Sequence, residues 1–235
     1  MPNWVSTTME VIGSESEVRR FAEGIKDREI IKSYLPVPKE LEITSTNAFD
    51  PNQIPPKWQE WVTDGSWTQQ QYDERVAENN ALFEAQQSNI AKHGCKDWYD
   101  WQYSQWGTKW GDCDTDIQPI GQRNDGRYAL FTTFQTPWGP ADVAWEKISA
   151  MFPTLLFTFD YDEEAGFFAG SQVFMNGESV FEALYEPCTY PEEVDWDDYE
   201  SIDKYEAWKA ERGDEIAEEL ISFMNELWET ATPLG

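Results

Sequence analysis

The sequence has few histidine and cysteine residues, which limits catalysis by a histidine base or a thiol and binding of soft metal ions. It contains one histidine and three cysteines among 235 residues, namely His93, Cys95, Cys113 and Cys188. His93 and Cys95 lie two positions apart at a predicted helix end, where such side chains face different directions and do not form a catalytic dyad. Three cysteines without a CxxC pair favour free thiols. Walker A, GxSxG, HExxH and GxGxxG patterns are missing. We expect no enzyme and no cofactor.

Two groups of acids resemble metal sites without completing one. The stretch from Asp112 to Arg123 begins with alternating acids, as a calcium loop does, but has Ile117 where glycine is needed and Arg123 where a bidentate glutamate is needed. The alternating acids are better explained as the solvated face of a strand. Acids from 160 to 164 fall at a predicted hairpin turn, and no Lys or Arg lies nearby to support phosphoryl chemistry. We expect no metal.

Long apolar runs are also missing, and none approaches the ~18 to 20 residues that a membrane helix needs. The first ten residues, MPNWVSTTME, lack a basic region followed by an apolar one, as a signal peptide would have. We therefore expect a cytoplasmic protein that does not contact membranes.

Basic residues are scarce: 17 Lys and Arg stand against 45 Asp and Glu, and the net charge is −28. Residues 158–235 hold 22 acids and three basic residues, a net charge of −19. Direct binding to nucleic acid is disfavoured, because it depends on Lys and Arg neutralising phosphates. A basic protein partner is favoured, and the alternative is that the acids only confer solubility.

Aromatic residues are abundant, with 13 Trp, 10 Tyr and 13 Phe. The block from Trp98 to Trp110 predicts a helix that places Tyr99, Tyr103 and Trp106 on one face and ends at Gly107. Such a block either packs in the interior or forms a stacking platform for bases, but only two lysines accompany it. Packing is the favoured interpretation.

Hydrophobic patterning predicts an α+β fold. Residues 3–12 are typical of a strand, and a capping box from Ser14 to Glu17 begins a helix. A proline-rich loop follows, then helical pieces between 56 and 93 that have only a thin apolar stripe. Further along we predict, in order, a strand at 127–136, a helix at 140–151, and strands at 154–161 and 167–175. A last helix, from about Asp214 to Trp228, has an apolar stripe formed by Ile216, Leu220, Phe223 and Leu227. This order is typical of a split βαβ, ferredoxin-like sandwich with a helical insertion and an acidic helical C-terminal extension.

Five sequence blocks carry a family resemblance: PNW, LPVPKEL, WYDWQYSQWGTKW, FTTFQTPWGP and FPTLLFTFDYDEEAGFFAG. The sequence resembles plasmid- and phage-borne proteins with the YubB-type ferredoxin-like domain, a family of unassigned activity. The resemblance implies a ferredoxin-like fold and a mobile-element origin, hence a bacterial host cell, and offers no catalytic residues. We predict a ferredoxin-like domain at 1–175, with an insertion at about 27–107, and an extension at 176–235.

The extension is the predicted binding region, because its acids alternate with Trp196, Tyr199, Tyr205 and Trp208 and are thus held on an ordered scaffold. The leading hypothesis is a non-enzymatic protein that inhibits a host nucleic-acid-binding or defence protein by nucleic-acid mimicry. One alternative is a nucleotide or small-ligand module with a pocket lined by Trp98, Trp101 and Trp138, and another is a structural or assembly subunit. The predicted partner-binding acids are Glu192, Glu193, Asp195, Asp197, Asp198, Glu200, Asp203, Glu206, Glu211, Asp214, Glu215, Glu218 and Glu219.

Overall fold

The structure, a computed structural model, describes residues 2–185, 190 and 192–230, so Cys188 lies outside the described residues. The chain divides into two compact units, one formed by Met1–Pro36 with Gln105–Gly235 and the other by Val37–Ser104. The strands are β1 (Trp4–Gly13), β2 (Cys113–Ile117), β3 (Gly121–Gln122), β4 (Tyr128–Pro137), β5 (Leu156–Glu163), β6 (Ala169–Met175) and β7 (Glu178–Tyr185). The helices are α1 (Glu15–Gly24), α2 (Ile30–Tyr34), a 3-10 turn (Lys39–Leu41), α3 (Pro56–Thr63), α4 (Gln69–His93), α5 (Trp98–Trp106), α6 (Asp142–Met151) and α7 (Tyr199–Thr230).

The larger unit is built on one antiparallel sheet with strand order β2-β4-β1-β5-β6-β7, and β3 pairs with β4. Strands β4 and β5 both pair antiparallel with β1, which lies between them, and α6 connects them. This is a split βαβ unit, so the predicted α+β, ferredoxin-like fold with a C-terminal helix is confirmed. Strand β7 extends the same sheet beyond residue 175.

The first face of the sheet carries the main core. Alternation along β1 places Val5, Met9 and Val11 on this face, and all three are fully buried. Helix α1 packs Phe21 against Phe157, with ring centroids 5.4 Å apart, and α6 packs Trp145 against Phe159 at 5.0 Å. Of the block predicted to pack in the interior, Trp106 is buried, whereas Tyr103 and Trp110 are exposed.

The second face of the sheet is apolar at one end and polar in the middle. At the apolar end, Ile12, Leu156 and Val173 form a buried cluster against which α7 packs. The side chains that follow toward the other end of β1 on this face are Glu10, Thr8 and Ser6. The helix therefore covers only part of the face.

Asp112 corrects the expectation that the alternating acids near β2 share a solvated face. Its carboxylate is buried and accepts hydrogen bonds from the N–H groups of Ile30 and Ile31, at 2.8 and 2.7 Å, and from the Thr115 hydroxyl at 2.8 Å. Burial raises the pKa of Asp112. The carboxylate holds the first turn of α2, which has no side-chain cap of its own. Only Asp114 and Asp116 of the three are exposed.

The smaller unit is held together by amide side chains as well as by aromatic packing. Asn79 of α4 donates to the Phe49 carbonyl at 2.9 Å and accepts from the Phe49 N–H at 2.8 Å. Gln86 makes the same pair of bonds with the Thr46 carbonyl and the Ala48 N–H. Asn79 and Gln86 are buried, so α4 satisfies the backbone of the loop that precedes α3. These hydrogen bonds add to the packing of the thin apolar stripe of α4.

Within the described ranges, no helix combines the length and the low polarity required to span a membrane.

Candidate functional site

Helix α7 is anchored to the sheet through one side of its C-terminal half. Leu220, Phe223, Met224 and Leu227 pack on the buried cluster of the second face. The Phe223 ring lies 5.0 Å from that of Phe181 on β7. Three of these residues belong to the apolar stripe predicted from sequence. The opposite side of the helix is left facing solvent.

A small aromatic cluster orders the chain at the other end of α7. Tyr205 contacts Tyr190, Trp196 and Trp208, with ring centroids 5.4, 5.6 and 6.3 Å apart. Tyr190 also contacts Trp208 at 5.3 Å. Tyr199, which we expected among the scaffold aromatics, is 85% exposed. Three of the four predicted aromatics thus support the acidic segment.

The helix begins at Tyr199, about four turns before the predicted start at Asp214. Asp198 precedes it, and its carboxylate accepts a hydrogen bond from the Glu200 N–H at 3.2 Å. The Ile202 N–H donates to the Asp198 carbonyl at 3.1 Å. The sequence predicted a start at Asp214 because aspartate is a common N-cap residue, but the helix continues through Gly213 and Asp214. Tyr205 and Trp208 pack on Tyr190 and Trp196, and this packing stabilises the helical turns that precede Asp214.

All thirteen acids predicted to bind a partner are exposed. Five precede α7 or lie at its N-cap, and eight lie on the helix between Glu200 and Glu219, over about 28 Å at 1.5 Å per residue. Glu200 pairs with Lys204 at 3.1 Å, and Glu215 pairs with Arg212. The segment therefore combines a fixed backbone with a dense array of solvated carboxylates.

The uncovered part of the second sheet face forms an open groove of about 620 Å³. Its floor includes Ser6 and Thr8 of β1, and Asp160 and Asp162 of β5 pair opposite Thr8 and Ser6, respectively. Gly213 of α7 lies at its wall, and nothing lies within 4 Å of where its Cβ would be. Among the residues that the structure describes, the groove is lined by Asp114, Asp160 and Asp162 but by no Lys, Arg or His. The groove therefore favours a cationic occupant over an anionic one.

The three tryptophans of the alternative pocket fall in different units. Trp98 and Trp101 lie on α5 within Val37–Ser104, and Trp138 follows β4 in the larger unit. A pocket formed by all three stays a prediction. Trp138 is instead stacked on Trp110, and Trp110 on Trp4. The sequence did not predict Trp4 as part of this stack, because the rings meet only where β1 and β2 both pair with β4.

The described part of the chain contains no group of three or more His, Cys, Asp or Glu side chains that could hold a metal ion. Cys95 and Cys113 are free thiols, and the Cys95 sulfur lies 3.5 Å from the Ser104 hydroxyl. Burial, followed by the charge of Asp112, raises the pKa of Cys113. A raised pKa disfavours the reactive thiolate.

The fold and these surfaces define an α+β protein that joins a ferredoxin-like domain to an acidic helix. Residues 106–206 match the family model described as "Ferredoxin-like domain in Api92-like protein". The chain thus carries a ferredoxin-like domain similar to that of Api92-like proteins. No curated protein matches the chain.

Among solved structures, the chain is similar to the "Crystal structure of a protein api92 from Yersinia pseudotuberculosis". The two share 12% sequence identity with a TM-score of 0.43, over 79% of this chain and 98% of that one.

Proposed function

We propose that this chain is a non-enzymatic acidic binding protein that uses the exposed side of α7 to dock on the basic surface of a partner protein. The observation that carries the proposal is the two-sided character of α7. One side packs on the sheet through Phe223 and its neighbours, and the other presents eight exposed acids between Glu200 and Glu219. An acidic segment that served only solubility would not need this anchoring.

The charge of the chain supports a basic partner. A net charge of −28 repels phosphate and anionic lipid surfaces at long range and speeds encounter with basic ones. Carboxylates fixed along a helix resemble the phosphates of a nucleic-acid backbone in sign and in regular spacing. A protein that binds DNA or RNA through Lys and Arg has the complementary surface. We therefore propose nucleic-acid mimicry as the mode of binding.

The proposed setting follows from the sequence resemblance to plasmid- and phage-borne proteins with the YubB-type domain. A mobile element benefits from blocking host defence proteins, many of which bind nucleic acid. We propose that the partner is such a protein in the bacterial cytoplasm and that binding inhibits it.

Affinity capture from a nuclease-treated bacterial extract tests the proposal with three baits. The first bait is the natural chain. The second carries lysine in place of Glu211, Asp214, Glu215, Glu218 and Glu219. The matched control carries the same number of lysines in place of exposed acids in the smaller unit, so that the net charge is equal: Glu60, Asp73, Glu74, Glu78 and Glu84.

We expect the natural chain and the control to capture the same basic, nucleic-acid-binding protein, and the α7 variant to lose it. Equal capture by all three baits would rule out α7 as the docking surface. Capture of further copies of this chain as the main product would support an assembly subunit instead.

A further inference from the structure

The free half of the second sheet face ends in a stack of three indoles. Trp110 lies 6.3 Å from Trp4 and 5.8 Å from Trp138 between ring centroids, at interplanar angles of 26° and 23°. Trp4 is the first residue of β1, and strand alternation places it on the same face as Ser6 and Thr8. The Trp stack, as we name Trp4, Trp110 and Trp138, thus continues the floor of the groove.

The Trp stack is held open to solvent. Trp110 is 37% exposed and Trp138 is 45% exposed, although large aromatic side chains are the ones a core usually buries. Trp138 has a φ of 63°, in the left-handed region that bulky residues rarely adopt. Its N–H donates to the Asn3 carbonyl at 2.9 Å, which fixes the loop in this conformation. The backbone therefore presents the indole instead of burying it.

Carboxylates flank the Trp stack on the same face. The backbone N–H of Trp4 donates to Oε1 of Glu164 at 3.0 Å. Asp162 pairs opposite Ser6, the next residue of β1 on this face, and Asp160 pairs opposite Thr8. Successive positions on one face of a strand are about 7 Å apart. The groove carboxylates therefore begin about one such step beyond the Trp4 end of the stack.

The rings already attract a cation from this chain. The Lys109 ammonium lies 4.7 Å from the centroid of the Trp110 ring, within the range of a cation–π interaction. Indole is the strongest of the aromatic side chains in this role. Of the two basic side chains, arginine fits better, because its planar guanidinium stacks on rings and forms paired hydrogen bonds to carboxylates.

We propose that the Trp stack and the adjoining groove acids bind an arginine side chain of a basic protein partner. This proposal rests on the proposed function and deepens it, because it assigns specificity for arginine to the sheet face while α7 supplies long-range attraction. The guanidinium stacks on the exposed indole of Trp138, and the carboxylates of the groove attract its charge.

Peptide binding followed by NMR tests this assignment. The probes are three ten-residue peptides in which glycine alternates with arginine, lysine or citrulline, the last being a neutral analogue of arginine. The readouts are the dissociation constant and the shifts of the indole N–H signals. We expect the arginine peptide to shift the signals of the Trp stack and to bind about fivefold more tightly than the lysine peptide. The citrulline peptide should not bind.

Variants separate the Trp stack from general charge attraction. Trp138→Ala should weaken binding of the arginine peptide about fivefold, and Trp138→Phe should weaken it less. Tyr199→Ala, which removes an exposed aromatic side chain outside the stack, should leave the affinity unchanged. Lys109→Gln should strengthen binding of the arginine peptide, because it removes a competing cation. The same change should weaken binding of a ligand that carries phosphate. The backbone amide spectrum shows whether each variant is folded.

Equal affinity for the arginine and lysine peptides, unchanged by Trp138→Ala and Trp138→Phe, would overturn the proposal. Preference for a single-stranded oligonucleotide that Lys109→Gln abolishes would also overturn it. Neither outcome depends on the five α7 acids, so it is distinct from a failure of the α7 docking surface in the capture experiment.

Discussion

Replacing Phe223 by alanine should release α7 from the sheet. The Phe223 ring contacts Phe181 at 5.0 Å between centroids and packs on the buried cluster of the second face. Truncating a fully buried phenylalanine costs ~3 to 5 kcal/mol, and Phe223 is half-buried, so we expect a loss of about 2 kcal/mol. At ~2 to 4 °C per kcal/mol for a chain of this size, Tm should fall by about 6 °C.

The matched control is Ile221→Ala on the same helix, because Ile221 is 60% exposed. Its effect should stay within about 0.5 kcal/mol. Thermal unfolding by circular dichroism measures the change in stability, and amide hydrogen exchange measures the opening of α7. Faster exchange throughout α7 is expected for Phe223→Ala alone. Equal Tm values and equal exchange in the two variants would refute the anchoring of α7.

Three further changes test the local structure. Asp112→Ala should lower the free energy of unfolding by about 3 kcal/mol in urea titration, because it leaves buried N–H groups of α2 without an acceptor; Asp114→Asn, at an exposed position, should not. Gly213→Ala should raise the unfolding free energy by about 1 kcal/mol, because the position is helical and its Cβ would have open space; a decrease would mean that the helix is not continuous there. Hydrogen bonding by Arg127 lowers the pKa of Asp125 to about 2. The charged Asp125 carboxylate therefore stabilises the fold fully above the ordinary pKa of aspartate, and this stabilisation is lost as the pH falls through about 2. Carboxyl NMR should show this titration, and Arg127→Gln should raise the pKa.

Local sequence patterns predicted those parts of the fold that depend on local periodicity. The Ser14 hydroxyl accepts from the Glu17 N–H as expected of a helix cap, and α5 ends at Trp106, before Gly107. The strand–helix–strand order from β4 to β5 identified the split βαβ unit. Such features arise from residues within a few positions of one another.

Features that depend on distant residues were not predicted. Asp112 caps α2 from about 80 positions away. The prediction that it shares a solvated strand face with Asp114 and Asp116 was therefore wrong. The predicted start of α7 was wrong, because Tyr190 and Trp196, which lie outside the helix, stabilise its first turns. The apolar stripe of the C-terminal half does not extend to these turns. Only a tertiary structure brings such residues together.

The candidate site also has one part that the sequence predicts and one part that depends on the tertiary structure. The exposed acids of α7 follow from composition, since charged residues seldom lie in a core. The Trp stack does not follow from composition, because Trp4, Trp110 and Trp138 are far apart in sequence and meet only where β1 and β2 both pair with β4.

The most direct test of the central claim is the dissociation constant of the purified captured partner, measured by calorimetry over a range of salt concentrations. For the natural chain and for the control with five lysines in the smaller unit, we predict tight binding that weakens steeply as salt rises. The variant with five lysines on α7 should bind at least about tenfold more weakly at physiological salt, because charges that attract become charges that repel. Equal affinities of the two lysine variants, or binding that is independent of salt, would contradict the account.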